Sequence, residues 1–181
     1  MNSAAGRVQD AAAAEPAGER GSVRVRLATL ADVDALYPLG YAAYHEARYS
    51  AHPFDETKAR QLSLRAVSDR ERQAVIVAER DGQLVGYCWG MAGEAMFSRA
   101  ILGTIASIYV QPAARNGFAA VKLLHAFRNW ARIKGCVEIH LNVTTGIRLA
   151  RTDRFLRRLG FQQTGGNYIL GLVGRSPASS Q

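Results

Sequence analysis

The spacing of hydrophobic residues changes period several times along this chain, and each change marks an expected element. VRVRLAT (23–29) alternates apolar and charged residues with a strand's period of two. Thr29 and Asp32 have the spacing of a capping box ahead of ADVDALYPLGYAAYHEA (31–47), where a helix is predicted with a kink or break at Pro38 and Gly40. DETKARQLSLRAVSD (55–69) sets Ala59, Leu62, Ala66 and Val67 near one face of a second helix. QAVIVAER (73–80) and QLVGYCWG (83–90) read as strands, and Asp81-Gly82 between them suits a two-residue type I′ turn. GTIASIYVQP (103–112) is a further strand, stopped by Pro112.

Helical spacing returns in FAAVKLLHAFRNWARIK (118–134), through Phe118, Val121, Leu124, Phe127 and Ala131, and Gly135 closes that helix. In CVEIHLNV (136–143), strand alternation puts Cys136, Glu138, His140 and Asn142 opposite Val137, Ile139, Leu141 and Val143. IRLARTDRFLRRL (147–159) is an Arg-rich helix ended by Gly160, and FQQTGGNYILGLV (161–173) is expected to supply one or two closing strands. Helices falling between the later strands argue for one mixed α/β domain over residues 23–173. Segments 1–22 and 174–181 hold almost no large apolar groups and read as disordered tails.

Composition narrows the function classes. No apolar run approaches the roughly 20 residues of a membrane span, and no signal-peptide pattern opens the chain, so a cytoplasmic protein with no membrane partner is expected. The two cysteines, Cys88 and Cys136, lack metal-ligand spacing and read as structural thiols, and the scattered histidines 45, 52, 125 and 140 give no metal site. The net charge of +8 is confined to one stretch: residues 115–158 hold ten Lys/Arg against two Asp/Glu. Such a stretch attracts a polyanion, whether nucleic acid, a membrane or a phosphate-rich cofactor.

The segment that carries chemistry is strand, short loop, helix: SIYV, QPAARNG, FAAVKLL. A helix start offers unpaired N–H groups and partial positive charge, its small residues Gly117, Ala119 and Ala120 admit a phosphate, and Arg115 adds a guanidinium. Here the chain resembles the GNAT superfamily of acyl-CoA-dependent N-acyltransferases, whose signature is Arg or Gln, two residues, Gly, one residue, then Gly or Ala after the fourth strand. Arg115 matches the first position and Ala120 the last, while Phe118 stands at the first Gly position. The preceding Asp-Gly hairpin, WARIKG, CVEIHLNV and RFLRRLGF are similar to the superfamily's neighbouring elements, and the loose motif resembles phage and prophage members.

That resemblance implies a centrally splayed mixed sheet of about six to seven strands flanked by about four helices. It implies acetyl-CoA as co-substrate, with its pantetheine along Ile108, Tyr109 and Val110 and its pyrophosphate over Arg115, Asn116, Gly117, Phe118, Ala119 and Ala120. An amine-bearing small molecule, protein or peptide would be the acceptor, attacking the thioester directly in a ternary complex, and a homodimer is a further partner to consider. The superfamily's Tyr acid position reads Leu156 here. Tyr109, Ser107, His140 (with Glu138) and Glu46 therefore stand as candidate catalytic groups. The alternative is a catalytically degenerate fold whose basic face, including the Arg148, Arg151, Arg154, Arg158 stripe, binds nucleic acid or a protein partner.

Overall fold

The computed structural model describes residues 22–172; the tail assignments for 1–21 and 174–181 lie outside it. Five strands form one sheet in chain order: β1 (Arg24–Leu27), β2 (Gln73–Arg80), β3 (Gln83–Glu94), β4 (Ile101–Val110) and β5 (Glu138–Leu141). The first four are antiparallel neighbours, and β5 joins β4 in parallel after a helical crossover. Among the described residues there are four α-helices: α1 (Val33–Glu46), α2 (Glu56–Ser68), α3 (Ala119–Ile133) and α4 (Leu149–Arg158).

β2 shows why the sheet needs two helical layers. Its run Ala74–Ala78 is buried throughout, with Ala74, Ile76 and Ala78 facing one core and Val75 and Val77 the other. The larger core is filled from α3 by Leu123, Leu124, Phe127 and Ala131, joined by Cys88, Ile105 and Leu156. The smaller core lies under α1 and α2, around Leu36, Ala66 and Val67. Gly90 of β3 is required by the first: a Cβ there would stand 2.4 Å from the Phe127 ring.

Local sequence signals account for most boundaries. Asp81 and Gly82 both take positive φ (52° and 76°) in the two-residue link between β2 and β3, as the hairpin pattern requires. Asp32 accepts from the Thr29 backbone N–H at 2.7 Å and is gripped by both Arg26 Nη atoms at 2.7 and 2.8 Å. These bonds fix the entry to α1. Arg26 holds the buried Asp32 carboxyl far below the usual carboxylate range.

Three expectations need correction. α1 is continuous through Pro38 and Gly40. Proline at the sixth helical residue removes one hydrogen bond and crowds the carbonyl of Asp34, and apolar packing of Leu36 and Leu39 holds the turns on either side. Among the described residues the sheet has five strands rather than six or seven, because residues 161–172 form no strand and leave Tyr168, Leu170 and Leu172 more than four-fifths exposed. β5 starts only at Glu138, so Cys136 precedes the alternation. Its Sγ lies with Ile139 near Gly103, on the α3 side.

Candidate active site

The site grows from an interruption in strand pairing. β5 pairs with β4 over Leu102–Ile105 only, so the later part of β4, Ser107–Val110, continues without a partner on that side. The bulge that separates Ile105 from Ser107 against β3 re-aims the strand at the same point. This is the splay that the sequence resemblance implied. Gln111 N–H donates to Val85 O at 2.9 Å, so by alternation Tyr109 turns its backbone toward β3. The backbone groups of Ile108 and Val110 turn toward the open side.

The chain then passes through a 3-10 turn (Pro112–Ala114) and the loop Arg115–Phe118 into α3. Among the described residues no carbonyl accepts from the N–H groups of Phe118, Ala119 and Ala120, leaving the donors and partial positive charge of a helix start directed outward. Asn116, Gly117 and Phe118 are exposed, Ala119 is buried against the sheet and Ala120 is half-buried. Arg80, at the end of β2, brings a second guanidinium here. Its Nη2 would lie 3.5 Å from a Cβ on Gly117, and its buried Nε finds no partner among the described residues. An orphaned cationic nitrogen beside free amides is the environment a phosphate group satisfies.

Arg115 is engaged differently from the sequence expectation. Its Nε donates to Val110 O at 2.8 Å, its Nη2 to Glu46 Oε2 at 2.5 Å, and its guanidinium lies 5.4 Å from the Tyr109 ring centroid. Glu46, the last residue of α1, also accepts from the Tyr109 hydroxyl at 2.6 Å. Three candidates from distant parts of the sequence thus meet at one carboxylate. Burial pushes the Glu46 carboxyl up, but the bonds from Tyr109 and Arg115 outweigh it and the net shift is downward. Burial, reinforced by the negative Glu46, pushes the Tyr109 hydroxyl up to about 12. At neutral pH the pair is a carboxylate and a protonated phenol.

Ser107 shares the Tyr109 face of β4 and makes a 3.0 Å hydrogen bond with the Tyr87 hydroxyl. His140 is paired with Glu138 at 2.9 Å, as the relay idea supposed, but both side chains are largely in solvent. His140 sits opposite Thr104, on the closed part of the sheet, and no hydrogen bond among the described residues links it to Glu46 or Tyr109. Leu156 is buried in the α3-side core, so α4 supplies packing at the position where the resemblance implied a tyrosine acid. Both cysteine thiols are pushed up by burial, Cys88 to about 12, which leaves them protonated and inert.

Sequence reasoning missed two features. Arg80 was indistinguishable from any hairpin-end cation, although its position beside an Asp-Gly turn that faces the loop was a weak signal. The other is an apolar cavity of about 190 Å³ between α1, α2 and the sheet, floored by Tyr87, Trp89 and Ser107. Its wall residues Tyr37, Tyr41 and Tyr44 recur at helical spacing in α1 and could have been read as a stripe.

The architecture is shared with solved proteins. An acetyltransferase of Trypanosoma brucei superposes with a TM-score of 0.64 at 19% identity, covering 83% of this chain and 100% of that one. A ribosomal-protein-alanine N-acetyltransferase from Brucella melitensis biovar Abortus 2308 gives 0.62 at 21% identity, covering 84% and 100%. The aminoglycoside N-acetyltransferase AAC(6')-Iy, solved in complex with CoA, gives 0.68 at 17% identity, covering 88% and 99%. No curated protein matches the sequence significantly. At these identities the likeness establishes the fold, while the family follows from sequence: the model of the acetyltransferase (GNAT) family matches residues 33–161, and the chain is an acyltransferase belonging to that family.

Proposed function

We propose that the protein moves an acetyl group from acetyl-CoA to an amine by direct attack within a ternary complex. The observation that carries this reading is the continuity of three features: the open β4 edge at Ile108–Val110, the anion-receptive loop Arg115–Ala120, and the Glu46–Tyr109 pair beside them. Ile108 and Val110 offer backbone donors and acceptors to the amides of a pantetheine arm. Arg115, Arg80 and the amides at the start of α3 face its pyrophosphate. Acetyl-CoA supplies the activated thioester.

The amine nitrogen forms a bond to the acetyl carbon as the carbon–sulfur bond breaks. The amine loses one proton to Glu46, directly or through water, and the departing thiolate takes one from Tyr109 or solvent. Arg115 connects donor binding to this chemistry, because a pyrophosphate that captures its guanidinium removes the charge that most directly depresses Glu46. Ser107 and Tyr87 sit where the acceptor must pass.

Isothermal calorimetry with acetyl-CoA tests the donor site: Arg115→Glu should lose affinity by about 10²-fold or more. Free-thiol release then tests turnover across amines, where Tyr109→Phe should lower kcat by about 10²-fold with acetyl-CoA affinity unchanged. Unaltered donor affinity in Arg115→Glu refutes the assigned site. Donor binding without turnover, alongside salt-sensitive nucleic-acid binding, would support the non-catalytic alternative. The solved relatives carry acceptors as different as aminoglycosides and a ribosomal protein's alanine in their names, so the acceptor must be read from this chain's own pocket.

A further inference from the structure

The cavity between α1, α2 and the sheet is unusually uniform in chemistry. Tyr37, Tyr41, Tyr44, Phe54, Tyr87 and Trp89 line it, and no Lys, Arg, His, Asp or Glu does. Several of their polar atoms are already committed. The Tyr44 hydroxyl donates to His52 O, Trp89 Nε1 donates to Gln73 Oε1, and the Tyr87 hydroxyl is paired with Ser107. What faces the interior is therefore mostly ring surface and aliphatic carbon, which favours an apolar body and offers no counter-charge to a polycation.

The cavity also has a direction. Ser107 on its floor shares a face of β4 with Tyr109, whose ring centroid lies 6.4 Å from that of the lining residue Tyr87, and Tyr109 carries the bond to Glu46. A molecule with its ring in the cavity would place an attached short arm at the Ser107–Tyr109 end. Among the lining residues Tyr41 and Leu62 are exposed to solvent. Size sets the scale: a dry apolar cavity of roughly 150 Å³ takes one benzene, so about 190 Å³ accommodates one aromatic ring and a short chain.

We infer that the acceptor is a primary monoamine on an aromatic body, of the arylalkylamine class, with the ring held between α1 and the sheet and the nitrogen delivered to Glu46 and Tyr109. This rests on the reading of the chain as an amine acetyltransferase. The transfer consumes R–NH2 and acetyl-CoA and yields R–NH–CO–CH3 and CoA-SH, so no further reactant is needed.

Gly40 provides the test. It lines the cavity from α1, and a Cβ there would meet nothing within 4 Å, so Gly40→Leu fills the space with little strain. Occupancy is read in the full chain, without turnover, by saturation-transfer NMR with 2-phenylethanol, which has the body and no amine. The ring protons should show transfer in the wild type and lose it in Gly40→Leu, with acetyl-CoA affinity unchanged within about twofold. Should Gly40→Leu fold poorly, Gly40→Ala gives a graded version with a severalfold weaker signal. In turnover, 2-phenylethylamine should exceed spermidine, an aminoglycoside and a lysyl peptide by about 10²-fold in kcat/KM.

A preference for any of those polar amines, or an NMR signal that is absent or indifferent to Gly40→Leu, overturns the inference while leaving the acetyltransferase reading intact. Failure of acetyl-CoA to bind defeats that reading instead, and the 2-phenylethanol arm still decides what the cavity holds.

Discussion

Replacing Glu46 by glutamine should tighten acetyl-CoA binding while slowing acetyl transfer, an unusual combination for an active-site variant. In the free protein Arg115 has committed one nitrogen to Glu46 at 2.5 Å and another to Val110 O at 2.8 Å. A pyrophosphate that recruits this guanidinium must displace at least the carboxylate. Both side chains are about a third exposed, 34% each, so the pair is worth no more than the upper end of a surface ion pair, about 1 kcal/mol. Glutamine keeps an oxygen for the Tyr109 hydroxyl at the same distance from α1 and removes the competing charge. Donor affinity should then rise by about fivefold, the equivalent of that 1 kcal/mol. Over the same substitution kcat should fall by about 10²-fold, since no base remains at the position. Calorimetry on wild type, Glu46→Gln, Arg115→Met and the double variant isolates the effect. In the Arg115→Met background the gain from Glu46→Gln should vanish, because there is no guanidinium left to release. Weaker binding in Glu46→Gln, or an equal gain in both backgrounds, would refute the competition and with it the assignment of Arg115 to the donor.

Other consequences follow from single residues. The depressed Asp32 carboxyl contributes stability that is fully present above its ordinary pKa near 4 and is lost as pH falls through its much lower folded value; Asp32→Asn should cost about 3 kcal/mol at pH 7 in urea unfolding and flatten the acid limb. Gly90→Ala should destabilise by about 3 kcal/mol or more, since its Cβ would lie 2.4 Å from the Phe127 ring and 2.6 Å from Thr104 O, and a melt within about 2 °C of wild type would contradict the packing. His140→Gln should leave kcat within about twofold, because its imidazole and the Glu138 carboxylate face solvent opposite Thr104. A large drop in kcat would return His140 to the catalytic group.

Those elements fixed by local chemistry were legible in the sequence. The Asp81-Gly82 turn, the Thr29–Asp32 entry to α1 and the strand–loop–helix from Ser107 to Ala120 depend on residues within a few positions of each other. The splay of β4 from β5 followed only from family likeness, because nothing in CVEIHLNV says that pairing ends at Leu141. Pro38 does not break α1 because the packing of Leu36 and Leu39 outweighs the hydrogen bond it removes, and that packing is not written in the local sequence. The site's central contact was illegible in principle. Glu46 and Tyr109 are 63 residues apart and Glu46 and Arg115 are 69, so their meeting depends on how α1 lies across the sheet. The closing strands were expected from FQQTGGNYILGLV and from the likeness of RFLRRLGF to the superfamily's ending, and a strand is specified only where a partner edge receives it.

The open edge of β4 explains why Arg115 is folded back rather than extended. A strand carbonyl directed at no neighbouring strand needs a donor, and leaving it unpaired in a partly desolvated cleft costs about 1–3 kcal/mol. Val110 O has that donor in Arg115 Nε, while the same guanidinium neutralises Glu46 and covers the Tyr109 ring. One side chain thus satisfies the edge, the carboxylate and the aromatic face. On the proposed reading, a pantetheine amide can replace Nε at Val110 O, and the pyrophosphate offers Arg115 two negative oxygens for the one it gives up. Every hydrogen bond broken as the donor enters is thereby replaced by another, except at Glu46. That carboxylate is left with only the Tyr109 hydroxyl, at the moment an acceptor amine in the adjoining cavity must surrender a proton. The order of binding is a consequence: acetyl-CoA should enter first, and initial-velocity patterns with a dead-end CoA analogue should be competitive against acetyl-CoA and noncompetitive against the amine. A pattern uncompetitive against the amine, the signature of the amine binding first, would place Glu46 outside this exchange.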